Sequence, residues 1–340
     1  MVVGLVVMVA VFAFLFPQLG TYEQALSQLS TIPPAWIAAL VAAGLLNIAV
    51  YPLTATAAIP HLPYRHAFVD RQVGFLISNV IPGGGALAVG TQYSVLSTYG
   101  VSSAAAAAAV SADAIWTYLM VLGTPALAVL LLVVEGRSAA GYTTAAAVGL
   151  VVVVVSVAAI AAVLRSPEGA RRVGSRLQRP ADRLWALLHK EPPDVVSRLV
   201  EFNAQASALV ADRWRALTVT NVAAQATPYL VLVCALAGLG AFPTPLSWIE
   251  VFAAFSIALL LTSFPLTPGG LGTVDAALVL LLTRFGAESS TAIAADLIWR
   301  LVWFLPQLLV GLAALGIFTW DRRRKGQRHG RAADLADPAR

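Results

Sequence analysis

Thr267, Pro268, Gly269 and Gly270 break an apolar stretch of the chain, and Asp275, Asp296 and Arg300 follow them. Helix breakers and ionisable groups are costly at membrane depth unless they face protein or a water-filled cavity, so together they mark a candidate site. Arg300 lies four residues after Asp296, one helical turn on, and this spacing lets the two pair on one face. Asp275 falls just after the break, where the helix dipole favours a carboxylate, so helix capping competes with a functional role. An earlier stretch repeats the plan with Asn79, Pro82, Gly83, Gly84 and Gly85, followed by Asp113. Asp113 has no basic residue one turn away, and an isolated buried carboxylate can take up and release a proton. Asp113, Asp275 and Asp296 are therefore candidates for proton coupling or for a structural polar role. Helices restarting after Gly85 and Gly270 would present unpaired N–H groups that suit an anionic group such as a phosphate.

These residues sit in a chain of 340 residues that is 59% hydrophobic and 11% charged. That composition excludes a soluble globular or a disordered protein and indicates an all-α polytopic membrane protein, because continuous apolar runs are not barrel strands. The single Cys234 allows no internal disulfide, and no pair among the four histidines has zinc-motif spacing, so neither a metal nor a cofactor is expected. The net charge of +5 does not point to nucleic acid. Between Arg165 and Arg215 ten Lys/Arg face six Asp/Glu, and from Asp321 onward seven face three. Both clusters flank apolar spans, which places them, with both termini, on the cytoplasmic side of a cell membrane. Outside the clusters remain Arg65, Arg71, Arg137, Arg284 and Arg300. Of these only Arg300 falls inside an expected span, which makes it the first candidate for contact with an anionic lipid.

The elements that must position the site follow from the apolar runs. Spans are expected at 1–16, 35–59, 101–134, 142–164, 216–239 and 291–320, about six full crossings. Residues 61–71 form a cytoplasmic loop on this reading, and 165–215 a basic cytoplasmic or interfacial segment. There Val195, Val196, Leu199 and Phe202 recur at helical spacing and could lie against headgroups. The run 73–80 is too short to cross about 30 Å of hydrocarbon, so residues 66–100 read as a half-helix, turn and returning half-helix. Residues 246–264 either cross fully or form the first limb of a second such unit, 246–285. The whole chain reads as one membrane domain with halves at 1–164 and 216–320 and a basic tail at 321–340.

The two broken units match in spacing. Pro82 precedes Gly100 by 18 residues, and Pro268 precedes Gly286 by 18. Each glycine then leads to Asp-X-Ile-Trp, at Asp113 to Trp116 and at Asp296 to Trp299. Matched breaks in two halves indicate an inverted internal repeat of the transporter type.

Thr267 to Gly272, Asp275 to Leu278, then Arg300-Leu301, Leu305-Pro306 and Gly311 resemble the lysylphosphatidylglycerol synthase transmembrane region, or flippase-like, family. Asp275 matches an acidic position of that pattern and Arg300 its arginine. The first unit departs from it, since residues 86–93 carry no charge and Ala109-Val110 precede Asp113. The resemblance implies binding or translocation of an anionic lipid, either an aminoacylated phospholipid or a polyprenyl-phosphate carrier. The expected function is thus a lipid translocase that holds a phosphate-bearing headgroup at Asn79, Pro82 to Gly85, Thr267 to Gly270 and Arg300. The alternatives are a membrane component of a lipid-modifying system for aminoacyl or glycosyl transfer, or a non-catalytic scaffold for such enzymes. Homo-oligomers or membrane enzymes are possible partners.

Overall fold

The computed structural model describes residues 27–28, 30–81, 84–136, 154–155, 157–187, 194–263 and 267–336. Eleven α-helices are delimited among them, in the order α1 (Pro34–Val50), α2 (Leu53–Ala58), α3 (Tyr64–Val80), α4 (Gly85–Thr98), α5 (Ser103–Val134), α6 (Pro167–Leu187), α7 (Val195–Gly238), α8 (Trp248–Leu260), α9 (Thr273–Arg284), α10 (Ser289–Trp299) and α11 (Leu305–Ala336). A π-helical segment, Arg300–Phe304, joins α10 to α11. The fold is all-α.

Four segments are long and apolar enough to cross a membrane: Pro34–Ala58, Ser103–Val134, Ala206–Gly238 and Ser289–Lys325. They coincide with four of the expected crossings; those at 1–16 and 142–164 lie wholly or mostly outside the described residues. Their outer faces expose Val41, Leu45, Val134 and Val219, as a surface turned to hydrocarbon requires. The chain is a polytopic membrane protein. Helix α8 has 13 residues, about 20 Å of rise, and is too short to span by itself.

Side-chain caps set several helix starts. Ser102 Oγ accepts from the Ala105 amide at 3.3 Å to begin α5, and Asp194 caps α7 through the Ser197 amide at 3.0 Å. Ser247 and Glu250 form a reciprocal capping box at α8, with Glu250 Oε2 accepting from the Ser247 amide at 2.8 Å.

Two apolar centres are the largest among the described residues. In the first, Ala57 and Ile59 meet Ala67, Leu96, Ala112, Ile115 and Trp116 from α3, α4 and α5. In the second, Leu40 and Ala43 of α1 meet Phe255, Leu278, Leu282, Ala292 and Trp299 from α8, α9 and α10. Helix α7 belongs to both, since Leu217 enters the first centre and the run Val231 to Leu236 the second. Asn221, Ala224, Gln225 and Pro228 fall between, and these four line a cavity. Helix α11 packs along α3 closely enough that a Cβ on Gly311 would come within 2.7 Å of the Gln72 carbonyl oxygen.

Two boundaries differ from those read in the sequence. Residues 195–215 are not a separate loop, because α7 runs unbroken for 44 residues, about 66 Å, from beside the basic helix α6 into the membrane core. Its apolar stripe is spent on protein: Val196 lies against Gly174 of α6, and Phe202 packs on the first centre. Helix α3 begins at Tyr64, so Asp70 and Arg71 are buried helical residues rather than loop residues. At 17 residues, about 25 Å, α3 is shorter than any of the four candidate spans.

Candidate functional site

The two glycine breaks meet. A Cβ on Gly269 would come within 3.4 Å of the Asn79 carbonyl oxygen, so the end of α3 sits against the turn that precedes α9. Around this meeting point lies a cavity of about 520 Å³, lined from the first unit by Asn79, Gly84 and Gly85 and from the second by Thr267, Pro268, Gly269 and Gly270. Pro82 and Gly83 lie outside the described residues.

The breaks need glycine for different reasons. At Gly84 a Cβ would come within 2.3 Å of the Ile77 carbonyl oxygen, whereas beside Gly85 there is open space. At Gly269 φ is +60° and at Gly270 +67°, values that side chains rarely adopt, and a Cβ on Gly269 would also come within 2.6 Å of Phe304. Helix α4 starts at Gly85 with no side chain capping it. Helix α9 starts at Thr273, two residues later than the turn alone suggests, and its entry is already bonded: Asp275 Oδ2 accepts from the Gly272 amide at 2.6 Å.

Each unit carries an arginine–aspartate ion pair, and neither was legible as such. Arg300 does not pair with Asp296. Its Nε donates to Asp275 Oδ1 at 2.5 Å, and Nη1 donates to the Gly269 carbonyl at 3.2 Å. The π-helical segment begins at Arg300, and the guanidinium packs over Trp299 at 4.9 Å and Phe304 at 5.1 Å. Arg300, Asp275 and Asp296 are absent from the cavity wall; Arg300 and Asp275 hold the glycine turn from behind. Asp296 is buried beside Asp275 and Arg300, and its Oδ1 has no hydrogen-bond partner.

Asp113 is not isolated. It pairs with Nη2 of Arg71, the residue expected in a loop, and Arg71 Nε also donates to Thr54 Oγ1 at 2.8 Å. The Arg71 guanidinium lies 5.4 Å from the Tyr51 ring centroid. Arg71, Thr54, Tyr51 and Asp113 all line the cavity. Local sequence spacing could not reveal this pair, because its partners are 42 residues apart and come together only because α2 and α4 each pack on both α3 and α5.

The cavity is also more polar than expected at that depth. Asn47, Asn221, Gln225 and Gln307 line it, and Asn47 Nδ2 donates to Thr227 Oγ1 at 2.7 Å. One signal was available: Asn221 and Gln225 stand one turn apart inside an apolar span, which marks a face turned away from lipid. On one side the wall reaches the surface, where Tyr118 in the middle of α5 is 59% exposed and Thr262 and Ser263 are exposed. Among the described residues no cluster of three His, Cys, Asp or Glu side chains could hold a metal ion.

Comparison with known proteins supports the resemblance carried by the motifs. A UPF0104 membrane protein of Methanothermobacter thermautotrophicus is 35% identical over 78 residues, 23% of this chain and 23% of that protein. The aligned part is thus under a quarter of the relative's length. The family model described as the lysylphosphatidylglycerol synthase TM region matches residues 1–311. The match runs over both broken units and all the helices around the cavity, so the chain belongs to the lysylphosphatidylglycerol synthase transmembrane region family.

Proposed function

We propose that the protein is a lipid translocase of a cell membrane, holding a phosphate-bearing lipid headgroup between two broken-helix units. The observation that carries this reading is the cavity where both glycine breaks converge, with the Arg71 guanidinium in its wall. A guanidinium offers paired donors to phosphate oxygens, and the uncapped start of α4 at Gly85 adds N–H groups of the same polarity. The exposed Tyr118 gives the cavity a mouth at the middle of a membrane-crossing helix, where acyl chains rather than water lie outside. Such a mouth suits a lipid better than a soluble ion.

In this proposal α3–α4 and α8–α9 are re-entrant hairpins of an inverted repeat, the first entered from the cytoplasm and the second from outside. The basic segments around α6 and after Trp320 put both termini in the cytoplasm. Arg71 contacts the headgroup. Arg300, with Asp275, keeps the second turn in shape.

The test is purified protein in proteoliposomes carrying phospholipid labelled on its acyl chain. Accelerated exchange between leaflets, lost in Arg71→Gln, is the expected result. Unaccelerated exchange in a folded preparation would sink the proposal. A second reading, a membrane component of a lipid-modifying system, is favoured by one observation: the family is named for a synthase. It requires a chemically altered lipid after incubation with a donor, which mass spectrometry reads.

A further inference from the structure

We infer that the headgroup taken by this cavity is zwitterionic, one phosphate with one ammonium, rather than net anionic. The inference rests on the translocase reading and narrows its substrate class. Among the described residues in the wall the charged side chains are Arg71 and Asp113, one of each sign, paired with each other. The remaining polar side chains there are amides, hydroxyls and the Trp303 indole, none of them charged. The adjoining residues outside the described set, Pro82-Gly83 and Phe264-Pro265-Leu266, carry no charge. Behind the wall Arg300 is cancelled by Asp275, and Asp296 beside them and Asp70 beside Arg71 add no positive charge.

The cavity therefore has no net positive charge to offer. A net anionic headgroup would bring an uncompensated charge into a membrane-depth cavity whose own charges already cancel, and that is disfavoured. A zwitterion keeps every charge paired. Its phosphate takes the Arg71 fork, and its ammonium takes Asp113 in exchange. Asp113 is the more accessible partner, with 19% of its side chain exposed against 6% for Arg71, so an ammonium can reach the carboxylate while the arginine stays seated. Tyr51 and Tyr118 in the same wall offer ring faces that favour an ammonium. Thr54 holds the Arg71 Nε, which keeps the guanidinium in place when its aspartate is taken.

The experiment measures binding of chain-labelled phosphatidylethanolamine and phosphatidylglycerol to the full-length protein in nanodiscs, alongside leaflet exchange. Wild type should prefer the zwitterion at least tenfold. Asp113→Asn, which leaves the wall with one positive charge, should shift the preference toward phosphatidylglycerol. An N-acylated phosphatidylethanolamine, which keeps the phosphate and loses the ammonium, should bind wild type as poorly as phosphatidylglycerol, and this arm needs no variant. Equal binding of the two lipids, or retained binding after N-acylation, overturns the inference while leaving translocation intact. Failure to bind either lipid overturns both. Competition by soluble phosphoethanolamine at the lipid's own concentration would make the ligand a solute and overturn it as well.

Discussion

The two broken units use the same pair of side-chain types for opposite ends. In the second unit Arg300 and Asp275 are spent on the backbone, with Asp275 closing the entry to α9 and Arg300 holding the carbonyl of Gly269. In the first unit Arg71 and Asp113 face the cavity, and the start of α4 is left uncapped. One arginine stabilises a turn and the other lines the cavity, where we propose that it meets the headgroup. A charged pair at membrane depth is therefore weak evidence for a binding site until its donors have been accounted for one by one.

The comparison can be broken most forcefully at Arg300. Arg300→Ala would strand Asp275 and Asp296 without a cation and leave the turn carbonyl unpaired. We expect a loss of about 3–5 kcal/mol, read as a sharp fall in melting temperature or failure to accumulate. Stability near wild type would return Arg300 to the role of a ligand group. Next come the turns themselves. Gly269→Ala, at positive φ and against Phe304, should cost about 1–3 kcal/mol, whereas Gly85→Ala, with open space around it, should leave the melting temperature nearly unchanged. Equal effects would erase the distinction between a packed turn and an open one.

Arg71→Gln should reverse the pattern seen at Arg300. Headgroup binding should fall at least tenfold, about 1.4 kcal/mol, with a smaller effect on stability because Asp113 keeps access to the cavity. The smallest effect is expected at Thr54→Val, which removes the hydroxyl that accepts from both Nε and Nη2 of Arg71 and should weaken binding by about 0.5–1.5 kcal/mol. Unchanged binding there would mean that the guanidinium is positioned by Asp113 and Tyr51 alone.

Much of this architecture could be read from residues in order. Apolar runs located four crossings, the glycine breaks located both turns, and the motif from Thr267 to Gly311 carried the family. Pairing could not be read in the same way. Asp296 and Arg300 satisfy the helical spacing rule, yet a π-helical segment begins at Arg300 and its guanidinium points to Asp275, 25 residues away. Arg65 and Asp70 beside it make Arg71 read as a loop residue, and charge density in sequence says nothing about which side of a helix faces water. The polar wall was missed because Asn47, Asn221, Gln225 and Gln307 are single polar residues spread over three helices, and only packing brings them onto one surface.

Helix α7 carries a mechanical consequence. It is one uninterrupted rod, with its first turns bound to the basic helix α6 and its later ones forming the wall at Asn221 and Gln225. Near the cavity the rod contains Pro228, whose carbonyl accepts from the Trp299 indole at 2.9 Å, right beside Arg300. Because the helix is continuous, a displacement of α6 would be carried along it to the cavity wall at Asn221 and Gln225. The load of that movement would fall on the turn that Arg300 braces.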